Sequence, residues 1–183
     1  YDSILVLDGA GNKVREIDMI EVLLESDLAG LISNDHNDQK TLQTCDPTHL
    51  NDVQVLSAEQ AQYFPAFAAG DLLLSFRALN TIAVLDAKTD RIKWHQTGFS
   101  NQQHSPRYHN DNKILLFDNL GGETSQGVSR VIALDLTAPS SHIVYPTDRD
   151  ALSDVDIFSQ TAGHIDLSSD GSRVLIAWTH AGL

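Results

Sequence analysis

The sequence predicts an all-β fold made of four-stranded antiparallel meanders, and three observations predict it. Short runs of β-branched and aliphatic residues dominate the chain, and polar turn residues separate them. These runs recur in a fixed order with the same turn chemistry, as in repeat architectures. Hydrophobic residues make up 42% of the 183 residues, which is enough for a packed core. An all-β sandwich is the alternative, but it gives no reason for a repeated four-strand order.

One kind of run ends in aspartate and is followed by a polar turn and a second short strand. We name these runs strands c, and they lie at residues 4–8, 82–86 and 131–135. The strands that follow them are strands d, at residues 14–17, 92–94 and 142–145. The terminal aspartates are 78 and 49 residues apart, and the second spacing fits the roughly 40–50 residues of a β-propeller blade.

Two other kinds of run precede strands c. Strands b lie at residues 72–76, 114–117 and 174–178, and strands a lie before them at residues 53–56, 106–109 and 165–167. The chain therefore reads c-d, a-b-c-d, a-b-c-d, a-b, at about residues 3–17, 49–97, 104–146 and 163–178. This is about three blades of material, whereas propellers typically close with about four to eight. We expect residues 1–183 to form one partial β-propeller segment of a longer ring, or to pair with other material.

The longer aspartate spacing contains two predicted helical insertions. In the first, near residues 17–32, apolar side chains recur at helical spacing. These side chains are Ile17, Ile20, Leu24, Leu28 and Leu31. The second insertion is expected near residues 57–64, because Ser57 can cap a short helix that ends before Pro65.

Composition limits the partners of the chain. With 12 Lys and Arg against 25 Asp and Glu, the net charge is −13. Nucleic acids and anionic membranes repel such a chain, so neither is predicted as a partner. Cys45 stands alone, which excludes an internal disulfide framework and a cysteine-based zinc site. No apolar run approaches about 18 residues, so no membrane insertion is predicted. We predict no metal ion and no cofactor.

Three histidines fall at the start of successive strands a. His104 and His164 each precede a strand b by ten residues, and His49 precedes its own by 23 with the second insertion in between. In a meander, the start of strand a, the end of strand b and the start of strand c lie at one edge. Arg77, Asn119 and Arg130 occupy those other positions.

Two interpretations of this edge stay open. The polar side chains can line a water-filled channel, or they can form an anion site. Arginine offers a planar fork to an oxyanion, and neutral histidine can act as nucleophile or general base.

Several segments resemble motifs of the bacterial arylsulfotransferase (aryl-sulfate sulfotransferase-like) family. Residues 46–53, DPTHLNDV, are similar to its D-x-x-H-x-N segment, and residues 74–82, LSFRALNTI, to its S-x-R-x-x-(N/D)-x-(I/L) strand pair. Residues 103–107, QHSPR, and 115–119, LLFDN, resemble its Q-H-D-(P/A)…L-x-F-D-N element. The resemblance covers most of residues 46–178 and is specific when the motifs are taken together.

The resemblance implies a six-bladed propeller in the periplasm or outside the cell. It implies sulfuryl transfer from a small aromatic sulfate ester to a phenol through a sulfohistidine, with no adenosine-based donor. Consistent with the last point, the sequence contains no G-x-x-x-x-G-K-[ST] loop. A homo-oligomer is one option for assembly.

The resemblance also implies roles for residues of this edge. His49 and His104 are expected to bind oxyanions and transfer protons, and His164, at the next equivalent position, is expected to be the nucleophile. Arg77 and Arg130 compete as the arginine that holds the sulfuryl group. The expected substrate-binding residues are thus Arg77, Arg130, Asn51 and Asn119.

One departure from the family pattern keeps other functions open. Active members carry an arginine in the loop after Phe-Asp-Asn, whereas residues 120–124, LGGET, have none. This departure favours a non-catalytic extracellular propeller module that binds a ligand or builds an assembly. A hydrolase that releases sulfate to water is a third reading.

Overall fold

The computed structural model describes residues 2–33, 46–120, 128–138, 140–147 and 158–178. Within these ranges the chain forms twelve strands, two short α-helices and one 3₁₀ turn. The strands are β1 (Ser3–Leu7), β2 (Lys13–Asp18), β3 (Leu50–Val55), β4 (Leu72–Phe76), β5 (Thr81–Leu85), β6 (Ile92–Thr97), β7 (His104–His109), β8 (Lys113–Asp118), β9 (Arg130–Asp135), β10 (Ser140–Tyr145), β11 (His164–Leu167) and β12 (Val174–Ala177).

These strands pair into four antiparallel sheets that follow the chain. The first sheet is β1-β2, the second β3-β4-β5-β6, the third β7-β8-β9-β10 and the fourth β11-β12. Each four-stranded sheet is a meander in which neighbours in sequence are neighbours in space. The predicted all-β class and the order c-d, a-b-c-d, a-b-c-d, a-b are therefore confirmed. The sheets are consistent with propeller blades.

An apolar cluster lies between each pair of successive sheets. Alternate residues of a strand point to opposite faces, so β4 sends Leu73 toward the third sheet and Leu74 toward the first. The cluster between the second and third sheets also holds Phe64, Phe67 and Tyr108, whose rings meet edge-on or stacked. Such face-to-face packing buries both faces of each central strand and leaves the sheet edges for polar groups.

The first helical insertion differs from the prediction of one helix over residues 17–32. Ile17 and Asp18 belong to β2, and the helix α1 runs from Met19 to Leu24, followed by α2 from Ala29 to Ser33. Asp18 caps α1 by accepting hydrogen bonds from the amides of Ile20 and Glu21.

A serine turn separates the two helices. The Ser26 hydroxyl donates to the Leu23 carbonyl and accepts from the Leu28 amide, so the side chain takes the place of helical backbone bonds. The change of direction breaks the predicted apolar stripe: Leu24 and Leu31 are exposed, whereas Met19 and Leu23 are fully buried. The prediction of one continuous helix was wrong because it extended the apolar periodicity through this turn.

The second insertion is shorter than predicted. It forms a 3₁₀ turn over Gln60–Tyr63, and the Gln60 amide donates to the Ser57 hydroxyl at 3.1 Å. Phe64 and Phe67, which follow this turn, enter the apolar cluster described above.

Candidate active site

The predicted site residues meet at one edge of the sheets, which we call the rim. The rim consists of the residues where β3, β7, β9 and β11 begin and those that follow β4 and β8. Its members are His49 and Asn51 at β3, Arg77 after β4, His104 at β7, Asn119 after β8, Arg130 at β9 and His164 at β11. The sequence-based placement of each residue on its strand is thus confirmed, whereas their chemical roles stay predictions.

Two of the three inner strands carry a β-bulge at the rim. The pairing of β3 with β4 shifts between Leu50 and Asp52, and that of β7 with β8 shifts between His104 and Arg107. Each shift inserts one extra residue into the inner strand, which bends it and re-aims its side chains. Positive φ angles of 49° at His49 and 53° at Ser105 accompany these bends. The pairing of β11 with β12 has no such shift.

The equal spacing of His104 and His164 therefore hides a difference. The β7–β8 turn leaves three residues between the last pair, His109 and Lys113. The β11–β12 turn has four residues, because the Ser168 amide donates to the Arg173 carbonyl and residues 169–172 lie between them. The longer turn compensates in sequence for the missing bulge, so both histidines lie ten residues before strand b although only one strand is bent.

His104 is held through its Nδ1 atom. That atom lies 2.7 Å from Asn119 Oδ1 and 3.1 Å from the Gln102 carbonyl oxygen. A carbonyl oxygen only accepts, so Nδ1 carries the hydrogen and Nε2 carries the lone pair. Across the described part of the chain, no side chain or backbone group bonds Nε2. His104 therefore presents an unengaged basic nitrogen.

The surroundings of His104 favour its neutral form. Burial of the ring lowers its pKa below the usual value of 6.5, and the positive charges of nearby Arg77 and His49 add to this effect. Hydrogen bonds to Asn119 and Gln102 act in the opposite direction but are outweighed. The ring is therefore neutral at pH 7, as a nucleophile or general base requires.

Asn119 is fully buried. Its Nδ2 atom donates to the carbonyl oxygens of Ser159 and Ala162, at 2.8 and 2.9 Å. Its Oδ1 accepts from His104, so every polar atom of the amide has a partner within the protein. This geometry leaves no group of the Asn119 side chain for a substrate, contrary to a direct binding role.

Arg77 and Arg130 differ in charge compensation. Arg130 Nε lies 2.8 Å from Asp118 Oδ2, and Asp118 is completely buried, so this guanidinium is neutralised. Arg77 instead donates from Nη2 to the neutral Gln102 Oε1 at 2.7 Å, and its buried Nε has no hydrogen-bond partner among the described residues. No carboxylate of those residues pairs with Arg77. Of the two arginines, Arg77 is therefore the one whose charge no described carboxylate compensates, as an anion site needs.

His49 lies beside Arg77, whose amide donates to the His49 carbonyl at 3.0 Å. Its Nδ1 is 2.6 Å from Asp46 Oδ2, and its amide bonds Asp46 Oδ1 at 3.0 Å. The carboxylate orients the imidazole, as in a residue that transfers protons. Its neighbour Asn51 donates to the Gln103 carbonyl, while Asn51 Oδ1 is buried and unpartnered in the described structure.

His164 lies in a different arrangement. The single Ser105 hydroxyl hydrogen goes to the Ile165 carbonyl, so His164 Nδ1, 3.1 Å away, donates to Ser105 Oγ. Its Nε2 faces Arg107 Nη2 at 3.4 Å. Arg107 is also bound to both carboxylate oxygens of Asp52, each at 3.1 Å. The lone pair of His164 is therefore turned toward a guanidinium, and the side chain is exposed.

Sequence reasoning missed three residues that support the rim. Gln102 and Arg107 hold Arg77 and His164, as described. Gln103 is fully buried and donates from Nε2 to Ser75 Oγ and to the carbonyls of Phe76 and Thr81. It fixes the start of the third sheet to the second. Gln103 and Arg107 could have been found from the sequence, because both belong to the QHSPR segment, of which only the histidine was predicted as a site residue.

A comparison with protein-family models identifies the family of the chain. The model described as arylsulfotransferase (ASST) matches residues 5–183. The chain belongs to the arylsulfotransferase family. The resemblance seen in the sequence motifs is thereby confirmed, and the family supports an arylsulfotransferase-type function with aryl sulfates and phenols as the substrate class. Searches of curated proteins and of solved structures returned no match.

The arylsulfotransferase motifs gain a physical meaning in this structure. The serine of the S-x-R motif and the glutamine of the Q-H motif form the junction between the second and third sheets, and the motif asparagine after Asp118 holds His104. No group of three or more His, Cys, Asp or Glu side chains that could hold a metal occurs among the described residues. None of their helices is long and apolar enough to cross a membrane. The loop at residues 121–127 lies outside the described residues.

Proposed function

We propose that this arylsulfotransferase family member transfers a sulfuryl group from an aryl sulfate ester to a phenol through a sulfohistidine, without an adenosine-based donor. The observation that carries the proposal is His104, whose Nδ1 is held as a donor while Nε2 is unengaged, beside an arginine without a carboxylate partner among the described residues. Attack on an anionic sulfate ester requires an electron-rich nitrogen next to a positive charge that no carboxylate compensates.

The geometry favours His104 over His164 as the nucleophile. Both rings carry hydrogen on Nδ1, but the Nε2 lone pair of His164 points to the guanidinium of Arg107. A lone pair that accepts a hydrogen bond from a cation is a weaker nucleophile. We therefore transfer the nucleophile role from His164, which the sequence spacing suggested, to His104.

The first half-reaction is an attack of His104 Nε2 on sulfur. The new N–S bond forms as the ester S–O bond breaks, and the electron pair of that bond leaves on the phenolate oxygen. The ester loses its sulfuryl group, and the ring becomes a cationic imidazole that carries an anionic sulfuryl group. Charge is conserved, because the phenolate takes the negative charge of the ester.

The second half-reaction reverses these bonds with a new phenol. The acceptor oxygen loses its proton and attacks sulfur, and the N–S electron pair returns to Nε2. The proton finally resides on the departed phenol, so the net change exchanges one phenol for another. We assign the transfer of this proton to His49, and the contact of its Nδ1 with Asp46 supports the assignment. We assign the binding of the sulfuryl oxygens in both transition states to Arg77, because no carboxylate among the described residues compensates its charge.

The test is a transfer assay with the full-length protein, para-nitrophenyl sulfate and a phenol acceptor. We expect nitrophenol release that depends on the acceptor with ping-pong kinetics. Incubation with the donor alone, followed by a rapid quench and peptide mass spectrometry, is expected to find one sulfuryl group on the peptide that contains His104.

A matched control uses the other end of the same strand. His109 terminates β7 away from the rim and bonds the Gly171 carbonyl at 3.0 Å. We expect His109→Gln to retain transfer and labelling, whereas His104→Gln loses both. Transfer without labelled protein, or a label on His164, would contradict the assignment to His104. Absence of transfer with several donors would favour the non-catalytic module, and sulfate release without acceptor the hydrolase.

A further inference from the structure

We propose that Asn119 is a positioning residue that selects which nitrogen of His104 reacts. This proposal rests on the function proposed above and deepens it. It also replaces the substrate-binding role that the sequence suggested for Asn119, because the buried amide has no free group.

The orientation of the Asn119 amide is determined by two backbone carbonyls. The carbonyls of Ser159 and Ala162 can only accept hydrogen bonds, so the atom 2.8 and 2.9 Å away must be Nδ2. The reversed amide would place its oxygen against two carbonyl oxygens. The neighbouring carbonyls thus establish which atom of the amide is nitrogen and which is oxygen.

The fixed amide in turn determines the tautomer of His104. Its Oδ1 is the only amide atom that faces the ring, and it accepts from Nδ1 at 2.7 Å. The Gln102 carbonyl accepts from the same atom at 3.1 Å, so the two acceptors cooperate and the shorter bond belongs to Asn119. The lone pair is therefore on Nε2 before any substrate binds.

The same hydrogen bond strengthens during the reaction. The ring becomes positive when Nε2 bonds to sulfur, and an Nδ1–H donor on a cation bonds a neutral oxygen more strongly than a neutral donor does. Interactions that gain strength in the transition state raise kcat rather than lower KM. Asn119 is thus expected to act on kcat.

The ring of His104 also faces charged groups from other elements. These are Arg77, after β4, and His49, before β3, both of which lower its pKa. Loss of the Asn119 bond removes an effect that raises this pKa. An Asn119 variant should therefore lower the pKa of His104, whereas loss of a nearby cation should raise it. The opposite signs separate a hydrogen-bond effect from a general disturbance of the charges.

The primary experiment observes the tautomer without any substrate. Heteronuclear NMR of histidine-labelled protein correlates ring protons with ring nitrogens, and the His104 signals are assigned by their loss in His104→Gln. In the wild type we expect one tautomer with hydrogen on Nδ1. A ring with hydrogen on Nε2 would overturn the proposal even if sulfuryl transfer is real. Conversely, the expected tautomer in a protein without transfer would uphold the positioning role and contradict only the proposed function.

The variant Asn119→Ala tests the amide itself. We expect a mixture of tautomers, a lower His104 pKa and a fall in kcat of about 10–100-fold, the size typical of removing the partner that orients a reactive histidine. KM for the donor should change little. An unchanged tautomer and pKa in a folded Asn119→Ala protein would overturn the proposal.

Ser129→Ala is the matched structural control. The Ser129 hydroxyl donates to the Asn119 carbonyl at 2.7 Å and accepts from the Ser159 amide at 2.9 Å. Its removal loosens the same junction but leaves the bond between Asn119 and His104. We expect the wild-type tautomer and pKa in Ser129→Ala. The same changes in both variants would show that packing of the junction, rather than the amide, controls His104.

Discussion

The surroundings of His104, at the start of β7, and of His164, at the start of β11, look equivalent in sequence and differ in structure. Both histidines begin an inner strand, and both carry hydrogen on Nδ1. His104 is bonded by a buried amide and leaves Nε2 unengaged, whereas His164 is exposed and turns Nε2 toward Arg107. The difference shows that a structural repeat places similar residues at similar positions, but that neighbouring groups decide which of them can react.

The sharpest test of this comparison exchanges each histidine for alanine. Removal of a nucleophile typically costs at least about 10³-fold in kcat, so we expect that loss for His104→Ala. For His164→Ala we expect a loss of less than about tenfold, because its Nε2 lone pair is turned toward Arg107 and is not the attacking group. Steady-state kinetics with para-nitrophenyl sulfate measures both. Equal losses of kcat in the two variants would contradict the distinction between His104 and His164.

The sequence predicted the strand order and the position of every rim residue, because both depend on hydrophobic patterns and turn residues that are local in the chain. It did not predict that β7 is bulged and β11 is not, because the longer turn after Leu167 restores the same count of residues. The engagement of Nε2 by Arg107 was also not predictable, since the two residues lie on different sheets. The prediction of one helix over residues 17–32 was wrong because the Ser26 side chain takes hydrogen bonds that a continuous helix would form within its backbone.

A second test disturbs the junction between the second and third sheets, directly before His104. Gln103→Ala removes a buried amide and leaves the carbonyls of Phe76 and Thr81 with fewer donors. We expect the free energy of unfolding to fall by about 2–4 kcal/mol, measured by urea denaturation. The exposed Gln62, whose side chain donates to the Glu59 carbonyl, supplies the control, and Gln62→Ala should change stability by less than about 0.5 kcal/mol. A similar small change at both positions would contradict the role of Gln103 as the sheet junction.

A third test affects the close contact between Gly163, which precedes His164, and Phe117, which pairs with His104. A methyl group added at Gly163 would lie 2.3 Å from the ring of Phe117, which is buried and pairs with His104 across β7 and β8. We expect Gly163→Ala to destabilise the protein by about 1–3 kcal/mol, because the ring has no room to move. Around Gly30 in α2, no described atom outside its chain neighbours and its own helix backbone lies within 4 Å of the added group, so Gly30→Ala should be neutral or slightly stabilising. Comparable unfolding midpoints would contradict the close approach.

The smallest expected effect is a shift along the pH axis. Because burial lowers the pKa of His104, the neutral ring persists to pH values below 6.5, and the acid limb of kcat/KM is expected there. Arg77→Gln removes a cation that lowers this pKa, so the limb should move to higher pH. An NMR titration of His104 gives the same direction without turnover. A shift to lower pH would contradict the assignment of the titrating group.

The exported location and the homo-oligomer suggested by the family resemblance stay predictions. Fractionation of cells that express the full-length protein, and its mass in solution, measure them directly. Neither result alters the comparison between the two histidines, which depends on contacts within the described residues.

The bond from Asn119 to the carbonyls of Ser159 and Ala162 has a consequence for how such a protein can diversify. The group that orders His104 belongs to one sheet, but the groups that order Asn119 belong to the segment leading into the next. A duplicated or transplanted third sheet would keep His104 and Asn119 but would lack the two carbonyls that orient the Asn119 amide. The arrangement of His104 therefore depends on the backbone path of residues 159–162, which makes the junction of two sheets, rather than one sheet, the unit that must be kept together.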